Sequence, residues 1–268
     1  MIRLISILAG LFFTVALGWA LILGVIGVAH DGLPNSAEKQ FHKHPKELAL
    51  ASDGMFGKFD RAQLQRGFQV YKEVCANCHA LKYVAFRDLK ALGYNEDEVK
   101  AVAKGFKVPA YNAATGEVKS HDGLPADHFP PVVYAGQGSP PDLSLITKAR
   151  HGGAAYVYSL LTGYENAPAN LPKENQPAAG LYYNPYFANL NVAMPKPLTS
   201  DGQVSYKDGT KATVDQMAQD VSAFLVWTAE PKLEKRHQTG WAVLGFLLFA
   251  TTLAYMAYRN VWADKKGH

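Results

Sequence analysis

Cys75-Ala76-Asn77-Cys78-His79 is the stretch on which the reading of this chain turns. The chain has only two cysteines, and both lie here, as C-x-x-C followed directly by a histidine. On a helical turn, two cysteines three apart share a face. Both thiols then reach the two vinyl groups of one porphyrin, and the next residue projects its imidazole to the iron. The competing uses of such a pair lack their other parts. A thioredoxin-like redox pair wants a βαβ setting, a zinc site wants a second pair of ligands, and a disulfide across two residues is strained and has no use for His79. The spacing therefore predicts one haem c, attached through Cys75 and Cys78, with His79 as an axial ligand to the iron.

A helix leads into the motif. Asp60, with Gln63 three residues on, is an acidic variant of the capping box, and Leu64, Phe68 and Tyr71 recur at helical spacing up to Cys75. A second helix begins near Thr213, carries the apolar stripe Val214, Met217, Val221, Phe224 and Leu225, and stops at Pro231. Shorter helices are expected from Asp142 to Arg150, started by Pro140-Pro141, and from Ala154 to Thr162. Strand signals are weak. The stretches 105–141 and 163–210 read as long loops and hold most of the prolines. Loops of that length inside one domain are functional or wrapped around something, and a cofactor supplies the missing core.

Both ends are apolar. Leu4 to Ala29 carries no charge, follows Arg3, and is long enough to cross a bilayer. Gly27-Val28-Ala29 is a small-x-small triplet of the kind a signal peptidase cuts after, so residues 1–29 read as a signal peptide or an N-terminal anchor. Gly240 to Tyr258 is a second uncharged run, with Trp241 at its start and Tyr255, Tyr258 and Trp262 near its end, the aromatic belts of a spanning helix. Lys232, Lys235 and Arg236 precede it and Arg259, Lys265 and Lys266 follow it, so the positive-inside rule gives no orientation. The haem does: haem c is attached outside the cytoplasm, which puts residues 30–239 in the periplasm.

The mean hydropathy of −0.10 averages these apolar ends with a polar middle, and excludes a polytopic membrane protein. The middle holds 23 basic and 22 acidic residues, the whole chain is at +4, and there is no Lys/Arg run, so nucleic acid is excluded as a partner. The expected organisation is mainly α: a signal peptide or anchor at 1–29, a linker at 30–53, a cytochrome c-type haem domain with long loops at 54–236, a transmembrane helix at 237–260 that meets the lipid bilayer, and a cytoplasmic tail at 261–268.

The second axial ligand is sought among five methionines. Met1 is the start and Met256 lies in the second apolar run. Met217 belongs to a core stripe, and Met55 sits too close to the proximal side. Met194 remains, in Asn191-Val192-Ala193-Met194-Pro195-Lys196-Pro197, a loop stiffened by prolines. The alternative use of Met194 is packing on apolar surface. His121, His128 and His151 lie in Gly- or Pro-rich contexts and read as surface or hydrogen-bonding residues, and His42 and His44 read as solvated. A His/Met pair closes the coordination sphere and raises the potential, which favours electron transfer over oxygen or peroxide chemistry.

Several further motifs follow in order: Gly67-Phe68-Gln69-Val70-Tyr71, Asp127-His128-Phe129-Pro130, Pro141-Asp142-Leu143-Ser144, Ala149-Arg150-His151-Gly152-Gly153, Tyr156 to Tyr164, Tyr183-Asn184-Pro185-Tyr186-Phe187, Ala193-Met194-Pro195, and Asp220 to Leu225 with Glu230-Pro231-Lys232. Over about residues 54–266 the chain resembles the cytochrome c1 family in its alphaproteobacterial form, the haem subunit of the quinol–cytochrome c reductase (cytochrome bc1) complex. The linker and first apolar run are not part of the resemblance. The resemblance implies that Met194 is the axial ligand, that Arg150 and Tyr156 hold a haem propionate, and that Asn184, Pro185 and Pro140 to Leu143, with Pro141 among them, pack near the haem edge. It implies an electron-transfer subunit without a catalytic site of its own, in the inner membrane of a bacterium. Its partners would be cytochrome b and the Rieske iron–sulfur protein in a dimeric complex, with a soluble or membrane-tethered cytochrome c as acceptor.

Two features depart from relatives. Many carry further cysteines, so the long loops here must be held by packing. Mitochondrial relatives present acidic surface, whereas this chain has only the short run Glu96-Asp97-Glu98, which leaves the acceptor open. A c-type subunit of a terminal oxidase or nitric oxide reductase fits the C-terminal anchor and Ala193-Met194-Pro195 less well. A haem peroxidase or gas sensor would want an open distal site, and a di-haem peroxidase a second C-x-x-C-H.

Overall fold

The structure, a computed structural model, describes residues 2–31, 37–111, 116–136, 138–263 and 265. Part of the expected linker (32–36) and half of the expected tail (264 and 266–268) lie outside them. The helices are α1 (Ile2–Asp31), α2 (Ala37–Phe41), α3 (Arg61–Glu73), α4 (Glu96–Lys104), α5 (Ile146–Ala149), α6 (Gly153–Thr162), α7 (Val214–Ala229) and α8 (Leu233–Val261). Strands β1 (Lys107–Tyr111) and β2 (Val118–Asp122) form one antiparallel hairpin, and β3 (Tyr182–Tyr183) and β4 (Asn191–Val192) a minimal second one. The fold is mainly α.

The crossing of α3 and α7 organises the core. Asp60 caps α3 by accepting from the amides of Ala62 and Gln63, and Thr213 caps α7 by accepting from Gln216 N. The helices touch backbone to backbone at Gly67, where a Cβ would lie 2.0 Å from the Asp220 carbonyl oxygen. Phe68, Tyr71, Phe129, Phe224 and Trp227 bury around that point, with the Phe86 ring 4.5 Å from that of Phe129 and tilted by 48°. Burying a side chain such as Phe68 or Phe224 contributes roughly 1.5–3 kcal/mol. Beside Gly67, Arg66 reaches the fully buried Asp220 at 2.9 Å and Asp208 at 2.7 Å.

Three local expectations change. The helix expected from Asp142 to Arg150 is only Ile146–Ala149. Asp142 and Leu143 spend their polar groups on the segment after the haem motif instead of on a helix, as described below. The expected loop 105–141 contains the β1–β2 hairpin, which its largely exposed side chains did not signal. The acidic run Glu96-Asp97-Glu98 is the first turn of α4, capped by Asn95 with Glu98 returning to the Asn95 amide.

Helices α1 and α8 are long and apolar enough to cross a membrane, and the most apolar stretch of each is not buried against the protein. At 1.5 Å per residue, the 30 residues of α1 extend about 45 Å.

Candidate functional site

Helix α3 ends at Glu73, and Cys75–Asn77 forms one 3-10 turn in place of a further α-helical turn. The turn closes through bonds from the amides of Cys78 and His79 to the Cys75 carbonyl, 3.0 and 2.9 Å. Both thiols are free of any disulfide. Burial first, and then the neighbouring Cys78, push the Cys75 thiol up to about 12. A redox-active pair shows the opposite shift, toward an easily formed thiolate.

His79 is oriented from behind. Its Nδ1–H donates to the Pro141 carbonyl at 2.8 Å, which fixes the tautomer and leaves Nε2 free to ligate. Burial lowers its pKa against the pull of Pro141 and Asp142, so the ring is held neutral with a lone pair available. The strand of chain that offers Pro141 is stapled to the residues after the motif. Leu143 N donates to Ala80 O at 2.9 Å, Lys82 N to Asp142 Oδ2 at 2.8 Å, and Tyr83 N to Ser144 Oγ at 3.1 Å. The buried Tyr71 hydroxyl donates to the His79 carbonyl at 3.0 Å.

The same strap reaches the other candidate ligand. A Cβ on Gly138 would lie 3.7 Å from that of Ala193, next to the half-buried Met194. Tyr164 donates its hydroxyl to the Met194 carbonyl at 3.0 Å. Tyr164 follows α6, which carries Tyr156. The two tyrosines are close enough to interact, and burial raises the pKa of both. The charge of the nearby Arg150 guanidinium partly offsets that rise at Tyr156. A chain of contacts thus runs from His79 through Pro141 and the segment 138–144 to the Met194 loop, and from that loop through Tyr164 to Tyr156 and Arg150.

Asn184 and Pro185 act one layer back. Asn184 is fully buried. Its Nδ2 donates to Leu160 O at 2.8 Å, and its Oδ1 accepts from Tyr186 N at 3.1 Å, so both ends of the amide are engaged by backbone. Pro185 is buried and offers its carbonyl to Lys43 N at 2.8 Å. These contacts set the path of the loop toward Met194. Among the other histidines, His121 bonds its own neighbour's carbonyl through Nδ1, and His42, His44 and His151 are exposed.

Sequence reasoning did not single out Tyr164, Asp142 or Ser144 as holders of ligands. The Asp-x-Ser spacing was the available sign for two of them, since the Asp142 carboxylate bonds the Ser144 amide two residues on, 3.0 Å. The donor set fits a haem c: two unbridged thiols, one imidazole with only Nε2 free, one thioether across the strap, and a cation beside a phenol.

Residues 50–265 match the Cytochrome C1 family. The cytochrome c1 of Rhodospirillum rubrum is 40% identical over 267 residues, covering 92% of this chain and 97% of that protein. That of Cereibacter sphaeroides is 39% identical over 262 residues, covering 84% and 89%. The cytochrome b/c1 of Bradyrhizobium diazoefficiens is 43% identical over 240 residues, covering 79% of this chain and 34% of that protein, so this chain spans about a third of it. Motif set, fold and matched length agree, and the chain belongs to the cytochrome c1 family.

Proposed function

We propose that this chain is the c1 haem subunit of a quinol–cytochrome c reductase (cytochrome bc1) complex. It is held in a bacterial inner membrane with its haem domain, about 54–236, in the periplasm. It takes electrons from the Rieske iron–sulfur protein and passes them to a soluble or membrane-tethered cytochrome c. Cytochrome b is its membrane neighbour, and the complex is a dimer. Membership of the cytochrome c1 family and the two apolar helices support this reading.

The observation that carries the site is the strap 138–144, which backs His79 through Pro141 and touches the Met194 loop at Ala193. Cys75 and Cys78 hold the haem covalently, and His79 and Met194 ligate its iron. The bound haem supplies a one-electron Fe(III)/Fe(II) couple. The chain supplies the rest. The Pro141 carbonyl fixes the imidazole and strengthens it as a donor. Tyr164 holds the Met194 backbone, and Pro195 and Pro197 limit its wandering. Arg150, with Tyr156, provides a charge-assisted partner for a propionate. With His79 and Met194 both holding it, the haem would serve electron transfer rather than oxygen or peroxide chemistry.

The test is purification in mild detergent. Co-elution of a cytochrome b and a Rieske protein with quinol–cytochrome c reductase activity is expected. A haem protein that elutes alone, or with a terminal oxidase, would overturn the proposal.

A further inference from the structure

The haem domain meets α8 through a short turn whose apolar tip stays largely exposed among the described residues. Gly54-Met55-Phe56-Gly57 closes with Gly57 N donating to Gly54 O at 3.3 Å. It is built rigidly: Gly54 has φ +76, and a Cβ on Gly57 would lie 2.1 Å from the Ser52 carbonyl oxygen. Yet the tip presents Met55 at 61% and Phe56 at 76% exposure. A turn fixed this firmly around two large exposed apolar residues is not a random surface exposure.

The turn runs down one face of α8. Phe59 N donates to Glu234 Oε1 at 2.8 Å, the His237 ring bonds Gly57 O at 3.3 Å, and the Phe56 ring stacks on Trp241 at 5.3 Å and 12°. Glu234, His237 and Trp241 are one and then two turns apart on the same face. From Phe59 through Gly57 to Phe56, each step back along the loop descends α8 toward the uncharged run, and Met55 is the exposed neighbour of Phe56 at the turn. The apolar surface continues from Phe56 through Trp241 to Leu244 and Leu248, all exposed. Lys58 and Lys235, both exposed, flank it on the polar side, where lipid phosphates would lie.

We propose that the Gly54–Gly57 turn is a membrane wedge: Met55 and Phe56 enter the headgroup–acyl boundary beside Trp241 and fix the tilt of the haem domain over the bilayer. The occupant is lipid because the patch is continuous with a spanning helix and begins at its interfacial tryptophan. The inference rests on the chain being membrane-anchored through α8.

The test places one label at the tip. Met55→Cys in the haem-loaded full chain is tagged with a small environment-sensitive fluorophore and reconstituted in phosphatidylcholine vesicles, with or without bromine on the acyl chains near the headgroup. Val133→Cys, at a position 98% exposed, is the aqueous control. Labelling of the unsubstituted chain would count against thioether attachment at Cys75 and Cys78, and leaves the wedge to be judged by the quenchers. Brominated lipid should cause loss of fluorescence at 55 and aqueous iodide should not, with the reverse at 133. Quenching at 55 by iodide would put the turn in water, and quenching by neither would put it under protein; either result overturns the wedge.

Discussion

On the His79 side, the proposed ligand follows a helix whose packing face is buried. Its ring, its carbonyl and the residues after it are each bonded to a neighbour. On the Met194 side, the proposed ligand sits in a loop. Its local support is the Tyr164 hydroxyl, a two-residue hairpin, and the small cluster of Leu171, Tyr183 and Leu190. Leu190 is itself in the left-handed region, φ 66, a strained backbone for a branched side chain, held by complete burial of that side chain. The difference suits a ligand pair in which one member never leaves. The imidazole is backed by rigid structure, whereas the weaker thioether depends on a loop that a few long-range bonds keep in place.

The contrast can be broken most severely at its rigid side. Arg66→Ala leaves Asp220 buried without its guanidinium at the α3–α7 crossing. It is expected to cost about 3–5 kcal/mol in denaturant unfolding, because an uncompensated buried charge remains. A cost below 1 kcal/mol, within the range of an exposed pair, would show that the crossing does not depend on this contact.

On the loop side, Asn184→Ala orphans the buried Tyr186 amide and leaves the Leu160 carbonyl only its long bond from Gly163 N, 3.5 Å. About 1–3 kcal/mol is expected, chiefly from the unpaired amide. Hydrogen exchange should accelerate across 182–194 while α3 keeps its protection. Equal acceleration in both would mean that the two sides are one cooperative unit. Tyr164→Phe removes a single bond to the Met194 carbonyl, worth about 1 kcal/mol, and should speed imidazole binding to the ferric haem about fivefold. An unchanged rate would take Tyr164 out of the support of Met194.

The smallest effect lies at the foot of the anchor. Partial burial alone would raise the Glu230 carboxyl, but hydrogen bonds from Arg236 and Lys148 outweigh it and hold the group below its ordinary value of 4.5. Its stabilising share is therefore present above pH 4.5 and lost as pH falls through the lower folded value. Glu230→Gln should flatten that part of the acid-unfolding curve, and an unaltered acid limb would remove Glu230 from it.

The rigid side was also the legible one. Leu64, Phe68 and Tyr71 at helical spacing, the caps Asp60 and Thr213, and the two uncharged runs are local signals, and they give α3, α7, α1 and α8. The strap was misread because Pro140-Pro141 resembles a helix start, while Asp142 and Ser144 compete for the backbone with their own side chains. α4 was passed over although Asn95 and Glu98 form a capping box, since its apolar face is short. The β1–β2 hairpin shows no alternation, and Pro109 sits within it. The support of Met194 was illegible for a different reason: Asn184 to Leu160 and Gly138 to Ala193 are contacts between segments far apart in sequence, which no local pattern announces.

In the proposed site, His79 and Met194 together close the iron of one covalently attached haem, and carbon monoxide would report on that closure. The spectrum of the reduced full chain is recorded before and after the gas is added, beside Met194→Leu. The native protein should be low-spin and unchanged by the gas, whereas the variant should bind it and show a lower potential. A native haem that takes up carbon monoxide, or a Met194→Leu spectrum and potential the same as the native ones, would contradict His79/Met194 ligation.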